Sequence, residues 1–153
     1  MFTNDPIKFK NLVDNELPLL ALDPGTKLIG IAISDINKKI ATPLEVLEFK
    51  KYNDLKEKLL NIIKERKVGG IVIGNPINMD GSVGPRSQSS NSLADNLSSD
   101  LKLPILLWDE RLSTSAAEKL LIEADLSRKK RSTIIDKIAA SFILQGYLDF
   151  INN

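Results

Sequence analysis

The sequence predicts an α/β fold: a five-stranded mixed sheet, three antiparallel strands continued by two parallel ones, flanked by helices. Three observations predict it. Three strand-like segments follow one another before residue 50 with only short turns between them. Helix-like and strand-like segments then alternate, which adds parallel strands. The chain closes on segments with helical, not strand-like, periodicity.

The length of 153 residues suits one domain with a substantial core. Residues 1–18 read as an N-terminal extension carrying Asp5, Asp14 and Glu16, with a short helix near residues 8–15. Residues 19–151 read as a single domain. Leu19-Leu20-Ala21-Leu22 is the first strand, stopped by Asp23-Pro24-Gly25. Residues 30–34 form the second, and the short connection makes the pair an antiparallel hairpin. Residues 40–49 form the third, interrupted early by Pro43. Asn53 or Asp54 is suited to cap a helix with Leu55, Leu59, Ile62 and Ile63 on one face.

Gly69-Gly70 ends that region, and Ile71-Val72-Ile73 is a short buried strand. A loop rich in Gly, Asn and Pro spans residues 74–84. A polar helix follows over residues 85–99, with Leu93 and Leu97 on its apolar face. Residues 104–108 are the last strand. Ser115 and Glu118 match a capping box for a helix over residues 113–124. Residues 126–132 read as a basic connector and residues 133–151 as the final helix.

Composition narrows the chemistry. The sequence has no cysteine and no histidine. Disulfides, thiol nucleophiles, Cys/His zinc sites and histidine general bases are therefore excluded. Carboxylates, Lys, Arg, Ser, Thr and Tyr remain, a set suited to a hard ion such as magnesium or manganese. The formal net charge is +1, so any surface for nucleic acid must be local. The N-terminal residues lack the basic start and apolar stretch of a signal peptide. No segment approaches the roughly 18 apolar residues of a membrane span. The expected location is the cytoplasm, with no membrane partner.

Three carboxylates stand where chemistry is plausible. Asp23 ends a buried strand at a tight turn, and such rims are where open α/β sheets place ligands; Asp-Pro-Gly is equally the composition of a plain β-turn. Asp109-Glu110-Arg111 follows an apolar strand, at its carboxyl end. Strand alternation puts Asp109 and Glu110 on opposite faces, so only one should reach a shared site. Asp136 lies early in the last helix, at the edge of the arc formed by Ile135, Ile138, Ala139, Phe142, Ile143, Gly146 and Phe150. An acid in a first helical turn also satisfies the helix dipole without further role. Converging, the three acids suit divalent metal, two ions about 4 Å apart activating water against a phosphodiester.

Basic and polar residues suggest where a nucleic acid would lie. The loop Gly74-Asn75-Pro76-Ile77-Asn78-Met79-Asp80-Gly81 follows a strand end, with Arg86 just beyond it. Its composition also serves turns with special backbone angles. Arg128-Lys129-Lys130-Arg131 is the one dense basic run. Lys27, Asn78, Arg86, Arg111 and that run are the candidate contacts to phosphates. Trp108 reads as core.

These motifs resemble the YqgF/RuvX family of Holliday junction resolvases and pre-16S rRNA processing nucleases. The resemblance rests on Asp23-x-Gly25-Thr26-Lys27, Gly74-x-Pro76-x-Asn78-Met79-Asp80-Gly81, Asp109-Glu110-Arg111-Leu112-Ser113-Thr114 and Asp136-Lys137-Ile138-Ala139-Ala140. They run in order across nearly the whole chain after residue 18. The resemblance implies a ribonuclease H-like fold, Asp23, Glu110 and Asp136 as catalytic metal-binding acids, and magnesium or manganese as cofactor. It implies structured RNA or branched DNA as partner, acted on by a monomer or a homodimer. The chain departs from the pattern in its longer N-terminal segment, in Asn75 where leucine is frequent, and in Lys137 where a small residue is usual.

The leading expectation is a metal-dependent nuclease in 5′-end processing of pre-16S rRNA, with a junction-DNA endonuclease as the alternative. A non-catalytic nucleic-acid-binding module on the same fold would bind without cleaving. Asp-x-Gly-Thr after a first strand also resembles the phosphate loop of sugar kinases and actin-like ATPases, which need two such domains to enclose a nucleotide.

Overall fold

The computed structural model describes residues 2–25, 28–48, 50–77, 80–112 and 128–153; for Arg86 and residues 128–137 it describes the course of the backbone alone. The elements are β1 (Phe2–Thr3), α1 (Pro6–Leu12), β2 (Leu19–Pro24), β3 (Leu28–Ser34), β4 (Ala41–Glu48), α2 (Tyr52–Arg66), β5 (Gly70–Asn75), α3 (Pro85–Leu101), β6 (Ile105–Asp109), a 3₁₀ turn (Glu110–Leu112) and α4 (Arg128–Asn152). The strands form one sheet in the order β1-β6-β5-β2-β3-β4. β2, β3 and β4 form the expected antiparallel meander, and β5 and β6 join β2 in parallel.

The sheet has six strands, not five. Phe2–Thr3 pairs in parallel with β6, Phe2 opposite Ile105. Two residues carry no period, so this strand exists only through its partner. The segment before β2 is otherwise built into the core. Asp5 caps α1, its Oδ1 accepting from the amides of Ile7 and Lys8 at 3.0 and 3.3 Å, and Pro6 occupies the first helical turn. The helix therefore starts before residue 8 and ends at Leu12. Its Phe9 is fully buried.

Alternation along the strands divides the core in two. Leu20, Leu22, Ile71, Ile73, Ile105 and Leu107 face α2 and α3, which contribute Leu55, Leu59, Ile62, Ala94 and Leu97. Leu19, Ala21, Val72, Leu106 and Trp108 face the other way, onto α1 and α4. Both faces are covered, which is why β2 reads as an unbroken apolar run. Trp108 is core, as expected, and Tyr147 stands edge-on to it and to Phe9.

Several boundaries differ from expectation. β3 begins at Leu28 because it pairs with β2 up to the turn, Pro24 opposite Ile29. Pro43 sits in β4, an edge strand, beside a register shift between Ile31 and Ala32. The cap position of α2 is Lys51, without a side-chain hydrogen bond; Asp54 serves in the first turn instead. α2 ends not on the glycine pair but on Lys67, in the left-handed region at φ +54°. The final helix, described over Arg128–Asn152, already includes the basic run, which therefore lies on a helix and not on a connector. The expected helix over residues 113–124 lies outside the described residues.

Replacing Phe9 by alanine should cost about 3–5 kcal/mol, because it empties a fully buried aromatic site. Urea unfolding measures it; a change under about 0.5 kcal/mol would show that the N-terminal segment contributes no core.

Candidate active site

The site is built at the carboxyl ends of β2, β5 and β6. These neighbouring strands run parallel, so they end at one rim. Leu22 is level with Ile73, Ile73 with Leu107 and Gly74 with Trp108. Asp23, one residue past Leu22, is thus level with Gly74. Ala21 faces α4, so alternation turns Asp23 to that face too.

The turn after Asp23 is tight. The Gly25 amide donates to the Leu28 carbonyl at 2.9 Å, and a Cβ on Gly25 would stand 2.6 Å from that oxygen. Glycine therefore lets the β2–β3 connection close immediately behind the aspartate.

Glu110 arrives from the other side. β6 ends at Asp109, and Glu110 opens the 3₁₀ turn. Its carboxylate reaches over β5: a Cβ on Gly74 would lie 3.3 Å from Glu110 Oε2 and would collide with Ile143 Cδ1 of α4. Asp23 flanks the same glycine from β2. Both acids are partly buried. Gly74 is the residue that sequence reading passed over as a loop start, although it heads one of the motifs.

Asp109 belongs elsewhere. Its neighbour Leu107 faces α2 and α3, so alternation turns Asp109 away from α4. Arg111 holds it there, with Nη2 2.7 Å and Nε 3.1 Å from Asp109 Oδ2 and the Arg111 amide 3.0 Å from Oδ1. That side-chain hydrogen bond, chiefly, lowers the Asp109 pKa below the usual carboxylate value, and the carboxylate in turn raises that of Arg111. Asp80 is lowered too, first by the Ser82 hydroxyl at 2.7 Å and then by the Ser82 amide at 2.9 Å, with a smaller contribution from Arg111. Arg111 thus links the strand end to the loop around Gly81.

Helix α4 lies across this face, packed on β2, β3, β4, β5 and the 3₁₀ turn. Its direction is fixed by contacts at the far end of the sheet. Gln145 bonds the backbone of Lys39 and Ala41, and Asn152 that of Lys38. Ile143 lies on Gly74, so the N-terminal half of the helix, with Asp136, runs toward the rim that carries Asp23 and Glu110. Among the described residues no three acids gather as a metal cluster. The side chains of Asp136, Arg86 and Arg128-Lys129-Lys130-Arg131 lie outside the described set, as do Lys27 and Asn78 altogether.

The described donors are nonetheless of the right kind for a divalent cation. Two carboxylates stand at one rim, and the sequence holds no cysteine or histidine to compete.

A family model described as RuvX, Holliday junction resolvase, matches residues 18–150. The chain belongs to the RuvX family. A relative from Ruegeria pomeroyi is 53% identical over 135 residues, 88% of each chain. One from Pelagibacter ubique is 45% identical over 153 residues, 100% of each chain. Both carry the description "Putative pre-16S rRNA nuclease". Among solved structures, Thermus thermophilus RuvC in complex with Holliday junction substrate is similar with a TM-score of 0.53, covering 88% of this chain and 96% of that one at 11% identity. At that identity the likeness is one of fold, and the fold is ribonuclease H-like. In this RuvX chain the antiparallel meander and the parallel extension stand as the motifs implied.

Gly74→Ala should lose about 1–3 kcal/mol of stability, because the added methyl strikes α4. Adding Ile143→Val removes the struck atom and should recover a large part of the loss in urea unfolding. An unaffected single variant would contradict the close approach.

Proposed function

We propose that this chain is a divalent-metal-dependent nuclease acting on structured nucleic acid, with 5′-end processing of pre-16S rRNA as its role. The observation that carries the reading is the Glu110 carboxylate over Gly74, on the face covered by α4, beside the strand β2 whose register brings Asp23 level with that glycine. The descriptions of the relatives support the choice of substrate.

In this reading Asp23, Glu110 and Asp136 hold the cation, which is magnesium or manganese. When bound, such an ion stabilises negative charge on phosphoryl oxygens and makes water a better nucleophile. The protein's own part is positioning. The Gly25 turn fixes Asp23, the 3₁₀ turn brings Glu110 inward, and Arg111 keeps Asp109 ionised and turned away.

Substrate contacts are assigned to Lys27, Asn78, Arg86, Arg111, Arg128, Lys129, Lys130 and Arg131. The last four lie together on α4, a concentration of positive charge that suits contact with phosphates. Among the described residues no helix is long and apolar enough to cross a membrane, and the proposed location is the cytoplasm. A monomer suffices for a processing cut, whereas paired cuts in a junction need a symmetric dimer.

Branched DNA is the second reading, favoured by the description of the matching family model. One assay separates the two: hydrolysis of precursor 16S rRNA and of a four-way DNA junction, with magnesium and manganese titrated. We expect metal-dependent cleavage of the RNA. Asp23→Asn and Glu110→Gln should each reduce it by roughly 100-fold or more, and Asp109→Asn far less. Cleavage that survives both of the first two substitutions would sink the assignment.

A further inference from the structure

A second feature lies at the same rim, on the opposite face of the sheet. A cavity of about 420 Å³ opens between β1, the ends of β5 and β6, and the start of α3. That volume is within the range of small-ligand sites, about 300–1,000 Å³. Asn75 forms its polar floor. It follows Gly74, so alternation turns it away from the acids.

Asn75 is only 7% exposed and Ser87 only 1%. The Ser87 hydroxyl donates to Asn75 Oδ1 at 2.6 Å, and Asn91 Nδ2 donates to the Ser87 carbonyl at 2.9 Å. Those two bonds fix both carboxamides and use one group of each. The Asn75 Nδ2 donor and the Asn91 Oδ1 acceptor remain, and neither has a partner among the described residues. Unlike Trp108 Nε1 and Tyr147 Oη, the Asn75 nitrogen is not sealed from solvent, so it is open to a partner from the cavity.

The remaining walls decide what fits. Phe2, Ile77, Val83 and Leu107 are apolar, Thr3 and Asn4 are polar, and among the described residues no charged side chain lines the cavity. The Asn75 donor and the Asn91 acceptor, beside apolar walls and the Phe2 ring, match the edge and face of a nucleobase. Such recognition requires a base that is unpaired and turned out of its stack.

We propose that this cavity receives one unpaired nucleobase of the nucleic-acid substrate, and that Asn75 and Asn91 bond its edge. The proposal rests on nucleic acid being the substrate. The cavity borders the strand end that carries the acids, so one strand can pass the rim and lodge a base on the far side.

The test uses the whole chain, ¹⁵N-labelled, with the side-chain amide signals of Asn75 and Asn91 followed by NMR. The probes are adenosine, cytidine, guanosine and uridine at millimolar concentration, with ribose 5-phosphate as control. We expect saturable shifts of both signals with at least one nucleoside and none with ribose 5-phosphate. Asn75→Leu should abolish the binding, followed through the Asn91 signal. Asn91→Ala should weaken it by roughly tenfold, and decides the matter if the leucine variant does not fold. No saturable shift with any nucleoside, equal shifts with ribose 5-phosphate, or binding unchanged in the folded variants would overturn the proposal. A chain that binds nucleosides here but cleaves neither substrate overturns the nuclease reading alone. A chain that cleaves but shows no shift overturns this inference alone.

Discussion

Helix α4 can settle on the middle of the sheet only because β5 has no side chain at Gly74. Ile143 occupies the place a Cβ would take, and the Glu110 carboxylate lies against the same spot. Much of the site follows from that contact. It sets the height of α4 over β2 and β5, brings a strand-end acid inward from β6, and leaves Asp23 beside it on β2. A larger residue would lift the helix and crowd the Glu110 carboxylate at once, so packing and chemistry share one atom-sized constraint.

The parallel strands supply the rest of the geometry. β2, β5 and β6 end at one rim because they run the same way in adjacent positions. Each rim residue is then assigned to a face by alternation. Gly74 and Asp23 go to the α4 face; Asn75 and Asp109 go to the α3 face. Past the end of β6 the 3₁₀ turn keeps Glu110 on the α4 face, against Gly74, while Arg111 bonds Asp109. Two adjacent acids thereby have different environments: one faces the covered rim, the other is held ionised by a guanidinium.

Much of this was legible in the sequence, and the exceptions have physical reasons. The apolar run of β2 and the helical faces of α2 and α3 are long enough for period and burial to agree. Alternation implied that Asp109 and Glu110 separate, and they do, although Glu110 lies past the strand end in a 3₁₀ turn that no strand period could reveal. β1 was invisible because two residues have no period and gain strand character only from β6. The start of α1 was readable and was missed: Asp5-Pro6 is a cap followed by a first-turn proline. The basic run looked like a connector because four adjacent like charges carry no apolar period, yet it lies on a helix. Sequence alone also gave no reason to pair Asn75 with Ser87, a buried polar contact twelve residues apart.

The central claim is that Asp23 and Glu110 form one cation site over Gly74. Anomalous diffraction from crystals soaked in manganese chloride tests it most directly. The account predicts an anomalous peak within bonding distance of both carboxylates, on the face covered by α4. Manganese found only at Asp80 or Asp109, with none between Asp23 and Glu110, would contradict it.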